Sequence, residues 1–199
     1  MAHTAPDTVL AETIVPLQGA ALRVKQAALV IAGIVILAIA AKIKVPMWPV
    51  PITMGTFAVL TIGAAYGTRL GLATILGYMI VGALGFDVFA GLSAENFGLT
   101  YMMGGTGGYL MGYVLATLAL GYFARKGWDR SMLWMAVAML VGNVLIYVPG
   151  LLWLGTLYGW DKPILAWGLT PFLIGDALKL VLAAVLVPAV WKMVGNARG

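Results

Sequence analysis

The hydrophobic positions of this chain fall into long apolar runs, separated by short clusters of charge, proline and glycine. Six runs stand out, at residues 26–41, 52–66, 70–85, 104–123, 132–154 and 171–194. Each predicts a helix, because none shows the strict alternation of a half-buried strand and each has the length and composition of a buried or lipid-facing helix. The second and third runs are 15 and 16 residues long, shorter than the ~20 that usually span hydrocarbon. They read as a short hairpin broken at Gly67-Thr68-Arg69, with a single tilted helix across Arg69 as the alternative. Between the first two runs, Pro46, Pro49 and Pro51 forbid a continuous helix, since each lacks an N–H and pushes its predecessor toward extended geometry. Pro171 suits the first turn of the last run.

Composition turns these runs into a membrane prediction. The chain has 199 residues, 62% hydrophobic and 10% charged, where a soluble domain carries about 25% charge. So few charges cover only the two caps of a bundle whose flanks face lipid. The expected architecture is an all-α integral membrane protein, a bundle of six transmembrane helices. Residues 1–24 are read as a cytoplasmic N-terminal segment, 25–194 as the transmembrane substrate-binding domain, and 195–199 as a cytoplasmic tail. No cleavable signal peptide is expected, because residues 1–24 hold Asp7 and Glu12 and no continuous apolar core.

Charge sets the predicted orientation. With both termini in the cytoplasm, that side carries Arg23, Lys25, Arg69, Arg125, Lys126, Arg130, Lys192 and Arg198. The outer side carries Lys42, Lys44 and Lys162, and Lys179 falls inside the membrane. Eight bases against three agrees with the positive-inside rule. The same scatter argues against nucleic acid as a partner despite a net charge of +5, for the bases form no stripe. Trp48, Trp153, Trp160 and Trp167 are expected at the outer interface and Trp128, Trp134 and Trp191 at the inner one. Lys42 and Lys44 read as snorkelling interfacial residues.

Chemistry is scarce. Cysteine is absent and the sole histidine, His3, lies in the polar N-terminal segment, which disfavours thiolate, histidine and metal catalysis. No Walker sequence occurs, so ATP hydrolysis by a P-loop is excluded. The chain is read as a non-enzyme with no cofactor of its own. Asp176 and Lys179 lie inside the last run at i,i+3 spacing, on one helical face. They are either a self-neutralising pair that pins the bundle or a ligand site. Ionisable groups within the membrane are costly enough that the ligand reading is preferred. Asn143, in the middle of the fifth run, needs a partner that lipid cannot supply, either a neighbouring helix or a substrate amide. Thr53, Thr56 and Thr61 can satisfy themselves on their own helix. Thr53 is the ligand candidate among them because it follows the proline-broken segment. Glycines at 63, 67 and 71 and at 104, 108 and 112 form small-xxx-small stripes that read as close helix packing. Ala28 and Ala32 form a weaker pair on the first run.

Four segments in order, Pro49-Val50-Pro51-Ile52-Thr53, Gly85-Phe86-Asp87-Val88-Phe89-Ala90-Gly91, Gly104-Gly105-Thr106-Gly107-Gly108-Tyr109-Leu110-Met111-Gly112-Tyr113 and Pro171-Phe172-Leu173-Ile174-Gly175-Asp176-Ala177-Leu178-Lys179, resemble the BioY family. These are the biotin-specific substrate-binding (S) components of energy-coupling-factor (ECF) transporters. The chain departs from the family's pattern at Gly55 and Gly105. The resemblance implies a six-helix fold that binds biotin in an outward-opening pocket lined by Asp176 and Lys179. It adds Phe89, Asn96 and Tyr101 as ligand candidates. It also implies docking of the small-residue face of the first helix, at Ala28 and Ala32, onto a transmembrane T subunit with two ATPases below, which alone would hold ATP. The expected activity is capture and uptake of biotin by a multi-pass protein of the bacterial inner (plasma) membrane. Two other readings stay open at this point: a stand-alone ion-coupled secondary transporter of biotin or another small vitamin or amino acid, and a non-catalytic membrane assembly subunit.

Overall fold

The computed structural model describes residues 7–14, 17–91 and 98–196. Its helices are α1 (Leu10–Thr13), α2 (Gly19–Lys42), α3 (Gly55–Ala83), α4 (Gly98–Met103), α5 (Gly107–Arg125), α6 (Met132–Tyr158), α7 (Ile164–Gly168) and α8 (Leu173–Asn196). Two short strands, β1 (Lys44–Val45) and β2 (Ile52–Thr53), pair antiparallel with Lys44 opposite Thr53 and Val45 opposite Ile52. Among the described residues, five helical segments are long and apolar enough to cross a bilayer: α2, α3, α5, α6 and the run Ile164–Gly195 that carries α7 into α8.

Several boundaries differ from those expected. Helix α2 begins at Gly19, well before residue 26, so Arg23 and Lys25 lie within its first turns. Charge at a membrane surface does not end a helix, because long basic side chains lie along apolar surface and keep their heads in water. The second run loses Ile52 and Thr53 to the β-ribbon, and α3 starts at Gly55. Helix α6 continues through Pro149 to Tyr158, past the predicted end at 154. Pro171 falls in a 3-10 turn, Thr170–Phe172, just ahead of α8.

The second and third predicted runs both lie in α3, whose helical geometry breaks at Gly67 (φ 74°, ψ 179°). A Cβ on Gly71 would stand 3.5 Å from Cα of Gly63. In a straight helix positions eight apart are about 12 Å apart along the axis, so the two halves fold back on each other. Gly67 suits this corner for two reasons. Its φ is strained for any other residue, and a Cβ there would meet Val9 at 3.2 Å. The other glycine stripe packs as predicted at two of its three positions: a Cβ on Gly112 would lie 2.6 Å from Cα of Ile146, and one on Gly108 would lie 3.0 Å from Cα of Gly150. Helices α5 and α6 thus meet almost backbone to backbone.

The bundle has two chemically distinct ends. One holds α1, Gly67 and the α5–α6 connection. Residues 7–14, expected within a polar terminal segment, pack there instead, with Val9, Leu10, Ala11 and Thr13 buried. Apolar side chains on a single short turn have no other surface to cover. Arg125 pairs with Glu12 at 2.6 Å and donates to the Asp7 carbonyl at 2.8 Å. Arg130 donates to the Thr8 carbonyl at 3.1 Å. The other end holds Lys42, the β-ribbon, the 84–91 loop, α4 and the start of α8.

Trp191, expected at the membrane interface, is buried and donates its indole N–H to Asp129 Oδ2 at 2.6 Å. The Arg130 guanidinium lies 4.4 Å above the Trp191 ring. A carboxylate needs a partner once desolvated, and the indole reaches it only from inside. Trp153 is likewise turned inward, donating to the Gly104 carbonyl at 2.8 Å. Burial pushes the Asp129 carboxyl up to about 6, with the Trp191 N–H and Arg130 opposing the shift. A folded-state value above the unfolded one, about 3.9, means the folded protein binds the extra proton between these two pH values. This group's contribution to stability therefore falls as pH rises from about 4 to about 6. Thermal unfolding of detergent-solubilised protein across that window is expected to show the decline, and Asp129→Asn to flatten it. An equal slope in the variant would contradict the assignment.

Candidate functional site

The polar centre of the molecule lies where α8 enters the bundle beside the β-ribbon. The i,i+3 spacing turns Asp176 and Lys179 inward together. Lys179 Nζ lies 2.9 Å from Asp176 Oδ1, and both residues are buried, at 8% and 5% exposure. The ammonium also donates to the Thr53 carbonyl at 2.7 Å and to Thr56 Oγ1 at 2.9 Å. Its three N–H donors are therefore all used. The Thr56 hydroxyl donates to Asp176 Oδ1 at 3.4 Å, and the Tyr147 hydroxyl donates to Asp176 Oδ2. Four elements converge on one ion pair: β2, α3, α6 and α8. The open Thr53 carbonyl exists because the proline-broken segment leaves the helix there. The Thr53 hydroxyl caps the next element, accepting from the Gly55 N–H at 2.9 Å.

Beside this pair lies a narrow, partly enclosed cavity. Lys179, Thr53 and Thr56 give it one polar wall. Tyr78, Tyr101, Tyr109, Tyr113, Tyr147, Phe89 and Phe172 make most of the rest. The rings pack edge to face, Tyr147 with Tyr109 and with Phe172 at 6.2 Å each. Asp176 is not on the wall. It stands behind Lys179 and Tyr147 and holds both.

Phe89 and Ala90, in the loop after α3, line one side of the cavity. Phe89 is 2% exposed, stacks on Tyr101 at 4.9 Å and meets Tyr78 edge-on at 5.3 Å. The loop is tied down by the two lysines read from sequence as snorkelling. Lys42 Nζ bonds Asp87 Oδ1 at 2.5 Å and the Phe89 carbonyl at 2.7 Å. Lys44 Nζ bonds the carbonyls of Ala90 at 2.7 Å and Gly91 at 2.5 Å. These bonds add to the interfacial reading a role in holding the loop, since backbone carbonyls turned toward the bundle need donors.

Of the residues singled out from sequence, Thr53, Phe89, Tyr101 and Lys179 line the cavity and Asp176 supports it. Asn143 does not line it. It is buried in α6 one turn before Tyr147, and its side chain makes no hydrogen bond to a described residue. The position is on the correct helical face but too deep. Asn96 lies outside the described residues. Ala28 and Ala32 sit exposed on α2, away from the cavity. Sequence reasoning missed Tyr147 and gave Thr56 only a local role. Tyr147 carried one signal, its i,i+4 relation to Asn143, and Tyr109 and Tyr113 carried the same relation within the glycine-rich segment.

These features define a multi-pass, all-α membrane protein whose bundle holds a cavity lined by aromatic side chains and one lysine. The chain belongs to the BioY family, whose model matches residues 12–196. A Pyrococcus horikoshii protein named "Probable biotin transporter BioY" is 33% identical over 165 residues, 83% of this chain and 95% of that one. The Thermotoga maritima "Biotin transporter BioY" is 30% identical over 158 residues, 79% of this chain and 90% of its own length. The crystal structure of the S-component for biotin from an ECF-type ABC transporter superposes with a TM-score of 0.73 at 21% identity, covering 88% of this chain and 95% of that one. At that identity the match establishes the fold.

Removing one member of a buried ion pair leaves an uncompensated charge and typically costs about 3–5 kcal/mol. Asp176→Asn and Lys179→Met are each expected to lower the melting temperature in detergent. The double variant should lose less than the sum, and strict additivity would show that the two groups are not coupled.

Proposed function

We propose that this protein captures biotin and serves its uptake, holding the vitamin in the aromatic cavity beside Lys179. One observation carries the reading: a chain of the BioY family encloses, in an apolar bundle, a cavity whose single cationic wall is Lys179. Biotin joins a carboxylate on a flexible apolar arm to a compact ureido and thioether ring pair. The ring of tyrosines and phenylalanines suits the apolar body. Lys179, Thr56 and Tyr147 suit a polar end of the ligand, and Asp176 keeps the first and last in place. Because the ammonium is fully bonded, a ligand anion would exchange with the Thr53 carbonyl or the Thr56 hydroxyl and meet no bare charge. The Phe89 loop, clamped by Lys42 and Lys44, would retain the guest. The relatives' names and the S-component match point to the same ligand.

In this reading the chain crosses the membrane six times, with the two halves of α3 as separate spans. The contacts support it. Gly67 lies beside Arg125 at the α1 end, whereas both ends of α3 lie at the cavity end, near Tyr113 and Gly98 respectively. The α1 end also gathers Lys25, Arg69, Arg125 and Arg130, so the positive-inside rule places it in the cytoplasm and opens the cavity outward. The membrane would be the bacterial plasma membrane.

The test is binding of radiolabelled biotin to the purified protein. Lys179→Ala should weaken it at least tenfold, the usual order for losing a hydrogen-bonded charge, with Asp176→Asn weakening it less. Wild-type affinity in both variants would remove this site from the mechanism. Absence of binding by the wild type would favour an assembly subunit instead.

The S-component fold supports a second part of the proposal, that uptake uses a T subunit and ATPases. The exposed small-residue face of α2, Ala28 and Ala32, is the candidate docking surface. Tryptophan at both positions should leave biotin binding intact and abolish uptake by cells expressing all the subunits. Normal uptake by that variant, or uptake without any ATPase that collapses with an uncoupler, would count against it.

A further inference from the structure

A second surface on the same bundle has the shape and charge of an amphiphile site. Helices α2 and α8 flank the first half of α3 and leave part of it uncovered between them. The floor of this trough is Phe57, Thr61 and Ala65, on one face of α3 over two turns, about 12 Å. Leu29 of α2 and Val187 and Val190 of α8 form its sides. The trough is open on one side and offers about 380 Å³ of space. The floor is apolar in effect as well as composition, because the Thr61 hydroxyl is spent on its own helix, donating to the Phe57 carbonyl at 2.7 Å. A groove so lined, at the depth of the membrane spans, suits hydrocarbon.

The trough does not stop at the bundle's end. Ala11, Lys25, Leu29 and Tyr66 border both it and a second, polar recess that continues past α1. That recess is lined by three cations, Lys25, Arg69 and Arg125, against one carboxylate, Glu12. Arg125 is engaged by Glu12 at 2.6 Å. Lys25 is held at the junction by the carbonyls of Ala11, at 2.7 Å, and of Ile14, so it contributes its charge to the recess and not a free donor. Arg69 is exposed and, among the described residues, has no hydrogen-bond or ion-pair partner. An apolar slot that runs continuously into a cationic recess at the membrane boundary matches one class of molecule.

We propose that this groove binds an anionic glycerophospholipid, one acyl chain lying along Phe57, Thr61 and Ala65 and the phosphate-bearing headgroup meeting Arg69 and Lys25. The lipid would fill the open side of α3 and tie α2 to α8 at the end opposite the vitamin cavity. The site shares no residue with that cavity, so it can fail while the transport reading stands.

Native mass spectrometry of the full-length protein, released from detergent with equal amounts of phosphatidylglycerol and phosphatidylcholine, tests it. Phosphatidylglycerol should remain bound at collision energies that strip phosphatidylcholine. Arg69→Gln, an exposed position, should cut that retention about fivefold, the weight of one basic side chain at an anionic membrane surface, and leave phosphatidylcholine unchanged. Ala65→Phe should reduce both lipids by filling the trough. Equal retention of the two lipids by the wild type, or a preference untouched by Arg69→Gln, would overturn the proposal. So would glycerol 3-phosphate competing as well as the intact lipid. A photocrosslinking residue at position 65 that captures a second polypeptide in membranes, and no lipid, would assign the groove to a protein partner instead.

Discussion

A lysine and an aspartate in a hydrocarbon setting must satisfy each other and every remaining lone pair and proton, or the helix that carries them will not stay in place. That requirement shapes the cavity end of this protein. Lys179 needs three acceptors, and one of them, the Thr53 carbonyl, is available only because the chain has left helical geometry. Asp176 needs donors on both oxygens, and they come from Lys179, Thr56 and Tyr147. Satisfying one pair therefore fixes the relative positions of β2, α3, α6 and α8. The self-neutralising reading of this pair is realised in this geometry. The ions bond each other, and the ammonium still forms a wall of the cavity.

The rest of the cavity follows from how closely the helices approach. Gly108 and Gly112 bring α5 against α6 so that Tyr109, Tyr113 and Tyr147 share one space. A larger residue at either glycine would separate the rings before it disturbed the ion pair. In the loop that carries Phe89, the same economy applies to backbone carbonyls. Residues 87–91 can lie over an apolar cavity because Lys42 and Lys44 supply donors that water would otherwise provide. The opposite end has its own buried acid, Asp129, satisfied on one oxygen by Trp191. Both ends thus rest on charges held by aromatic and backbone partners, with apolar packing between them.

Much of this was legible in the one-dimensional pattern. The apolar runs predicted an all-α membrane bundle, and the interruptions at the prolines and at Gly67 marked a non-helical ribbon and a break in α3. The spacing of Asp176 and Lys179 singled out the pair, and the four glycine-, proline- and aspartate-bearing segments pointed to the family that the comparisons establish. These features are local. Periodicity, a missing N–H, a left-handed glycine and an i,i+3 relation are properties of consecutive residues, and a chain of this hydropathy has few other ways to satisfy its backbone.

What tertiary structure alone decided was which side chains meet across helices. Tyr147 stands 29 positions before Asp176, and nothing in either neighbourhood names the other. Asn143 and Tyr147 share a face of α6, yet only the second is at the cavity's depth, a choice made by how far α6 slides against α5. Lys42 and Lys44 had the composition of interfacial anchors. They became loop clamps because the chain returns 45 residues later with unpaired carbonyls beside them. Depth, slide and return are relations between elements, set by the packing of all of them at once. A sequence therefore specifies the helices and the charges they must hide, and the assembled bundle determines the partners that hide them.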